Sequence, residues 1–241
     1  MNILVCESYE KMSEAAAMIL AARVMTKPDC AFGLPIGKTP LGLYEQIAYT
    51  HLEGLLDFKS VRVFNPGEFV GIAEDDWHSL RSFTERNLLS KLNVSPGNIH
   101  TPNANAPDLA LECELFEEKI QSTGGIDLQI LGIGADGHIG FNEPGDCFEP
   151  ATHIARLTEL QVRVHANYFG EEENMPDSVV TMGIGTILSA KSVIVLAAGA
   201  RKAHAVREMV YGKVRPQLPA SALQFHKDVT VITDDEAGRE L

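Results

Sequence analysis

Short runs that are apolar at nearly every position recur along this chain, at 2–6, 30–34, 61–65, 128–133, 192–197 and 229–233. A strand wetted on one face alternates apolar and polar side chains, so runs without that alternation imply strands covered on both faces. Stretches with helical apolar spacing lie between them, at 9–24, 41–51, 83–92, 108–122, 186–191 and 202–211, and supply the cover. The pattern predicts an α/β fold, an open, mostly parallel twisted sheet with helices on both faces. The segment 153–157 is a candidate extra strand, and 178–182 leads into the helix after it. With no internal repeat or low-complexity segment, the 241 residues read as a single domain, 1–241.

In such a sheet, ligands bind beyond the carboxyl ends of the strands, where the strand order reverses. The loops that directly follow the apolar runs are therefore the places to look for chemistry. The first, 33–40, reads Gly-Leu-Pro-Ile-Gly-Lys-Thr-Pro and opens a helix. Its glycines allow close approach to an anion, and the helix N-terminus offers free N–H groups. A nucleotide-binding P-loop is disfavoured, because three residues rather than four separate Gly33 from Gly37. A sugar-phosphate loop and a plain structural turn remain. Gly37, Lys38 and Thr39 are the candidate phosphate contacts of the former reading.

The second loop, Asn65-Pro66-Gly67-Glu68-Phe69-Val70-Gly71, carries a Pro-Gly turn signature. Its Glu68 reads either as a functional carboxylate or as a helix-start residue that satisfies nearby N–H groups. The third, 132–145, is the most informative. It places Asp136, His138 and Glu143 within eight residues of one another, and glycines, Gly137 among them, free the backbone. Histidine moves protons near neutral pH, and a flanking carboxylate fixes its tautomer and raises its basicity. A metal site is disfavoured: the segment holds one histidine, no HxxxH spacing and no obvious further ligand. Downstream, Lys202 opens a helix after another buried run and is placed to reach an anion at the first loop. The segment 219–226 carries no chemistry readable from its spacing.

Composition narrows the partners. A net charge of −13 leaves no basic stripe for nucleic acid, although a few local cations can still hold a small anion. No apolar run approaches the roughly 20 residues of a membrane span, and the opening stretch lacks the pattern of a signal peptide. The four cysteines are scattered without a CxxC pair, so reduced thiols and a cytoplasmic setting are expected.

Taken together, GLPIGKTP, FNPGEFVG, GIGADGHIGFNEPG, GARKAHAV and PASALQFH resemble the glucosamine-6-phosphate deaminase family from end to end. That superfamily also includes galactosamine-6-phosphate isomerase and, more distantly, 6-phosphogluconolactonase. The Phe-Asn-Glu-Pro ending favours the amino-sugar branch. The resemblance implies a Rossmann-like fold with no cofactor and no metal. It implies ring opening of glucosamine 6-phosphate, aldose–ketose isomerisation and loss of ammonia to give fructose 6-phosphate. His138 matches the ring-opening acid–base, Asp136 and Glu143 the carboxylates that tune it, and Lys202 and the 33–40 loop the phosphate-binding positions. The partner implied is a small-molecule sugar phosphate, bound by a monomer or small homo-oligomer of the short, non-allosteric type.

The departures are specific. Where the family usually has the aspartate that takes the C2 proton, this chain has Gly67, and Glu68 occupies the second carboxylate position. Ile36 replaces a hydroxyl donor of the phosphate loop. Asn167 falls where an arginine usually meets the phosphate, with Arg163 a few residues earlier. These changes leave three readings open: a deaminase or isomerase with Glu68 as a candidate base, a relative acting on a different sugar phosphate, and a non-catalytic binder.

Overall fold

The computed structural model describes residues 1–73, 75–158, 161–162 and 175–241. Arg163 and Asn167 lie outside the described residues. Seven strands form the main sheet: β1 (Asn2–Cys6), β2 (Ala31–Gly33), β3 (Arg62–Phe64), β5 (Ile99–His100), β6 (Leu128–Gly132), β9 (Val193–Ala197) and β10 (Val229–Asp234). Their order is β1-β10-β9-β6-β2-β3-β5, and every pairing in this sheet is parallel. A smaller antiparallel sheet, β4-β8-β7, joins β4 (Gly67–Phe69), β8 (Ser178–Thr181) and β7 (His153–Arg156).

The unbroken apolar runs are explained by where alternate residues go. In β9, Ile194 and Leu196 enter one core, while Val193, Val195 and Ala197 enter the other. The first core packs against α1 (Tyr9–Thr26), α2 (Leu41–Leu52) and α3 (Leu80–Asn87). The second packs against α4 (Leu109–Ser122), α5 (Ile184–Leu188) and α6 (Ala203–Tyr211), with the 3-10 segment Pro219–Phe225. A terminal turn of helix, α7 (Asp235–Gly238), follows β10. Helices therefore cover both faces, as the pattern requires.

The helix starts show how local chemistry sets the boundaries. Ser8 caps α1 through Lys11 N–H at 3.3 Å, and Asp108 caps α4 through Ala110 and Leu111 N–H. Pro40 sits at the cap of α2 and has no capping side chain. The Tyr9 hydroxyl substitutes, accepting from Gly42 N–H at 2.8 Å and donating to the Thr39 carbonyl at 3.1 Å. At the opposite end of the sheet, buried Asp127 accepts from Lys27, Lys191 and the Ala31 N–H, so its charge is fully compensated.

The small sheet corrects one reading and refines another. The Pro66-Gly67 pair makes no turn: Gly67 enters β4 opposite Thr181, and Pro66 accepts from Met182 N–H at 2.8 Å. Ser178–Thr181 form a full strand paired on both sides, and the chain runs from it into α5 at Ile184, as expected.

Candidate active site

The strand order reverses between β6 and β2. From β2 the chain moves outward through β3 to β5, then returns to β6 and moves the other way through β9 and β10. The loops after β2 and β6 therefore flank the switch point, where a crevice is expected. The loop after β9 lies on the neighbouring strand end.

The loop after β6 brings its three titratable side chains together. Asp136 Oδ1 lies 2.7 Å from His138 Nδ1, and Glu143 Oε1 lies 3.4 Å from the same nitrogen. The imidazole folds back over Gly134, where a Cβ would collide with the ring and with the Asp136 carboxylate. Glycine is what lets the dyad form. Asp136 Oδ1 also accepts from the His138 N–H at 3.2 Å, and Gly134 N–H donates to the His138 carbonyl at 2.9 Å, which closes the turn. Buried Ile139 and Phe141 anchor the far side of the loop. Asn142 donates to the carbonyls of Ile139 and Met182, tying the loop to the end of β8.

The electrostatics separate the two carboxylates. Burial opposes the charge on Asp136, but its bond to His138 outweighs that and brings its carboxyl down to about 2. Burial raises the Glu143 carboxyl; His138 pulls it back, and the Asp136 charge pushes it up again. One carboxylate is thus held firmly ionised while the other becomes the more basic. A pair whose environments push its members apart in this way is suited to acid–base work. The ligand atoms of the three residues lie within 4.8 Å of one another, close enough to hold a cation. However, Nδ1 carries the hydrogen that Asp136 accepts and so has no lone pair for a cation, which favours proton transfer over ligation.

The remaining candidates fall into three groups. Gly37 and Gly137 both have positive φ, +115° and +87°. Gly137 belongs to the 132–145 loop itself, and its carbonyl accepts from Ala220 N–H at 2.9 Å, so the 3-10 segment buttresses that loop. Lys38 and Thr39 line a separate depression of about 470 Å³ with Tyr9, Leu41 and Ala198. Lys202 sits partly buried after β9. Burial lowers its ammonium's pKa, partly offset by the Asp136 charge, which places it within electrostatic reach of the 132–145 loop.

Glu68 is not brought into that group. Its Oε1 accepts from Phe69 N–H and Leu80 N–H at 2.9 Å each, and its Oε2 accepts from Arg81 N–H at 2.9 Å. Burial raises its carboxyl, and these three backbone bonds oppose the rise. Of the two roles the residue type allows, Glu68 takes that of a helix-start anchor, reaching across from β4 to the first turn of α3. Gly67 is no vacancy awaiting a side chain either. A Cβ there would collide with the Val180 carbonyl oxygen of the paired strand.

Two contributors escape a reading of the sequence. Tyr9 braces the 33–40 loop from α1, and buried Gln161 donates to Glu143 Oε1 at 2.6 Å. Neither lies in a motif. Their partners are 30 and 18 residues away, so no local signal marks them.

Known proteins share this chain's sequence and fold over their full length. A glucosamine-6-phosphate deaminase of Clostridium botulinum (strain Loch Maree / Type A3) is 42% identical over 241 residues, covering 100% of this chain and 99% of that protein. Another, from Thermoanaerobacter sp. (strain X514), is 41% identical over 237 residues, covering 98% and 94%. A solved structure described as a monomeric glucosamine-6-phosphate deaminase superposes with a TM-score of 0.96 at 39% identity, covering 100% of both chains. The 6-phosphogluconolactonase of Trypanosoma cruzi shares the fold, with a TM-score of 0.81 at 22% identity, covering 100% of this chain and 96% of that one. The model of the glucosamine-6-phosphate isomerases/6-phosphogluconolactonase family matches residues 7–232, and this chain belongs to that family.

Proposed function

We propose that this chain is an amino-sugar-phosphate deaminase/isomerase, taking glucosamine 6-phosphate, or galactosamine 6-phosphate, to a ketohexose 6-phosphate and ammonia. The observation that carries the reading is the His138 imidazole held at 2.7 Å by Asp136, with Glu143 beside it. Relatives that share about two-fifths of its residues over the full length bear the same name.

With the Nδ1 proton committed to Asp136, Nε2 is the acceptor. It takes the proton from the sugar O1 hydroxyl and returns one to the ring oxygen as the C1–O5 bond breaks, leaving an open aldehyde. The next step removes the C2 proton. Gly67 carries no acceptor, and the Glu68 oxygens are spent on backbone N–H groups. The base therefore comes from the catalytic loop, and Glu143, raised by burial, is the better one. Its carboxylate takes the C2 proton while His138, reprotonated from solvent at Nε2, gives one to O1, forming an enaminol, and the proton held on Glu143 is the one later delivered to C1. Protonation at C1 then yields the C2 imine, and water adds and expels ammonia. Lys202 and the 33–40 loop hold the phosphate, with Lys38 as a point charge.

The chain works as a single-domain monomer in the cytoplasm on this reading. Among the described residues, no helix is long and apolar enough to cross a membrane. The test is incubation with each hexosamine 6-phosphate, assaying ammonia and ketose phosphate together. Equal amounts of both are expected, and absence of both with either sugar would overturn the function. Solvent deuterium exchange at C2 tests the base: Glu143→Gln should abolish exchange while ring opening persists.

A further inference from the structure

Glu143 is held from outside its own loop. The turn that follows β7 reaches it twice: Gln161 Nε2 donates to Glu143 Oε1 at 2.6 Å, and the Thr158 hydroxyl donates to the same carboxylate. The two donors are also tied to each other. Thr158 Oγ1 accepts from Gln161 N–H at 3.3 Å, and the Thr158 carbonyl accepts from Val162 N–H at 2.9 Å. One helical turn thus sets side chains 158 and 161 on the same side, as the spacing of three requires.

Packing alone does not account for a glutamine here. Gln161 is only 4% exposed, and among the described residues its Oε1 has no hydrogen-bond partner. A buried acceptor left unpaired is a cost that methionine, of similar size, would avoid. What methionine could not supply is the N–H. An ionised carboxylate only accepts, so the bond fixes the amide with Nε2 toward Glu143.

We propose that Gln161 is a positioning residue for the reaction: its amide orients the Glu143 carboxylate toward C2 of the substrate and holds it in the ionised, proton-accepting form. This rests on the reading of Glu143 as the base at C2. A donated hydrogen bond favours the charged form, so Gln161 and Thr158 counter the burial that raises the Glu143 carboxyl. Other charges face the same group. Asp136 and His138 belong to its own loop, and Lys202, after β9, acts on Asp136. Asp146, Cys147, Glu149, His153 and Arg156 share with Glu143 a cavity of about 250 Å³. Gln161→Met leaves every one of these groups in place, so a change at Glu143 reports the lost N–H.

The test is an NMR titration of the Glu143 carboxyl carbon, assigned with a Glu143→Gln variant, in the natural chain and in Gln161→Met. The midpoint should rise by about 0.5–1 pH unit, one donor's share of the roughly two pH units that two or three donors produce. The acid limb of kcat for ammonia release should move up with it. At the optimum, kcat should fall at least about tenfold with KM within about twofold, because orientation is lost and the phosphate contacts are not. A residue that only packs would lower kcat or stability and leave the midpoint in place. In the natural chain, where no variant has to fold, the Gln161 side-chain N–H resonances should titrate with the Glu143 midpoint. A midpoint unmoved in folded Gln161→Met, or amide resonances that do not follow Glu143, would overturn the assignment. Both titrations are independent of turnover. If they behave as stated while the natural chain releases no ammonia, the deaminase reading fails and the hold of Gln161 on Glu143 stands.

Discussion

The loop after β6 and the segment after β3 leave the same end of the sheet, and both carry carboxylates, yet they do opposite things with them. In the loop, backbone bonds are made locally, between Gly134 and His138 and between Ile139 and Asn142, which leaves Asp136, His138 and Glu143 free to meet one another. In β4, the backbone is committed to a partner strand: Gly67 is pressed on the Val180 carbonyl and Glu68 is drawn to three N–H groups. A carboxylate near a site is available for chemistry only when the fold leaves at least one of its oxygens without a backbone partner, as it does for Glu143 and not for Glu68. The loss of a side chain at position 67 is therefore a feature of how the two strands pack, not a gap in an otherwise unchanged site.

The strongest way to break this contrast is at the dyad. Asp136→Asn removes the anion that sets the His138 tautomer, and ammonia release should fall about 10²–10⁴-fold with little change in melting temperature. Next is Glu68→Ala, which strands three buried N–H groups and should cost about 2–4 kcal/mol of stability in urea unfolding. Gly67→Ala should cost about 2–3 kcal/mol, the scale of overpacking against rigid backbone. By the same geometry, Gly67→Asp should destabilise without raising ammonia release; a faster, equally stable Gly67→Asp would show that the strand can yield. Lys202→Ala should raise KM about 10-fold or more, as loss of a charge-assisted bond would. Exposed Lys38→Ala should raise it only about threefold.

The pH profile sharpens the same comparison with the smallest effect. Glu143 has a raised pKa and Asp136 lies at about 2, so on acidification Glu143 takes a proton first. Activity should therefore fall as pH drops through one group above the usual glutamate range, and Asp136→Asn should keep that limb but move it to lower pH, because the Asp136 charge helps to raise Glu143. A limb that disappears in Asp136→Asn would assign it to the wrong carboxylate.

Much of this was legible in the residues. All six apolar runs became strands, five of them because two-sided burial writes itself as continuous hydrophobicity; the sixth, β1, is an edge strand whose Ile3, Leu4 and Val5 are exposed. The 132–145 loop announced its chemistry by packing three titratable residues after one of the runs. What could not be read was long-range. Pro66-Gly67 carries a turn signature, but pairing with residues more than a hundred positions later overrides it. The two roles of Glu68 were indistinguishable until α3 was seen to start at its carboxylate. Tyr9 bracing a loop and Gln161 holding Glu143 depend on approach between distant elements, which no local pattern encodes.

The most direct measurement is kcat/KM for ammonia release from glucosamine 6-phosphate by His138→Gln and Glu68→Gln, both assayed well below their unfolding temperatures. His138→Gln should lose at least about 10² in rate, while folded Glu68→Gln should stay within about tenfold of the natural chain. If Glu68→Gln loses as much as His138→Gln with its stability unchanged, the carboxylate in β4 belongs to the chemistry and the assignment of the site to the 132–145 loop is wrong.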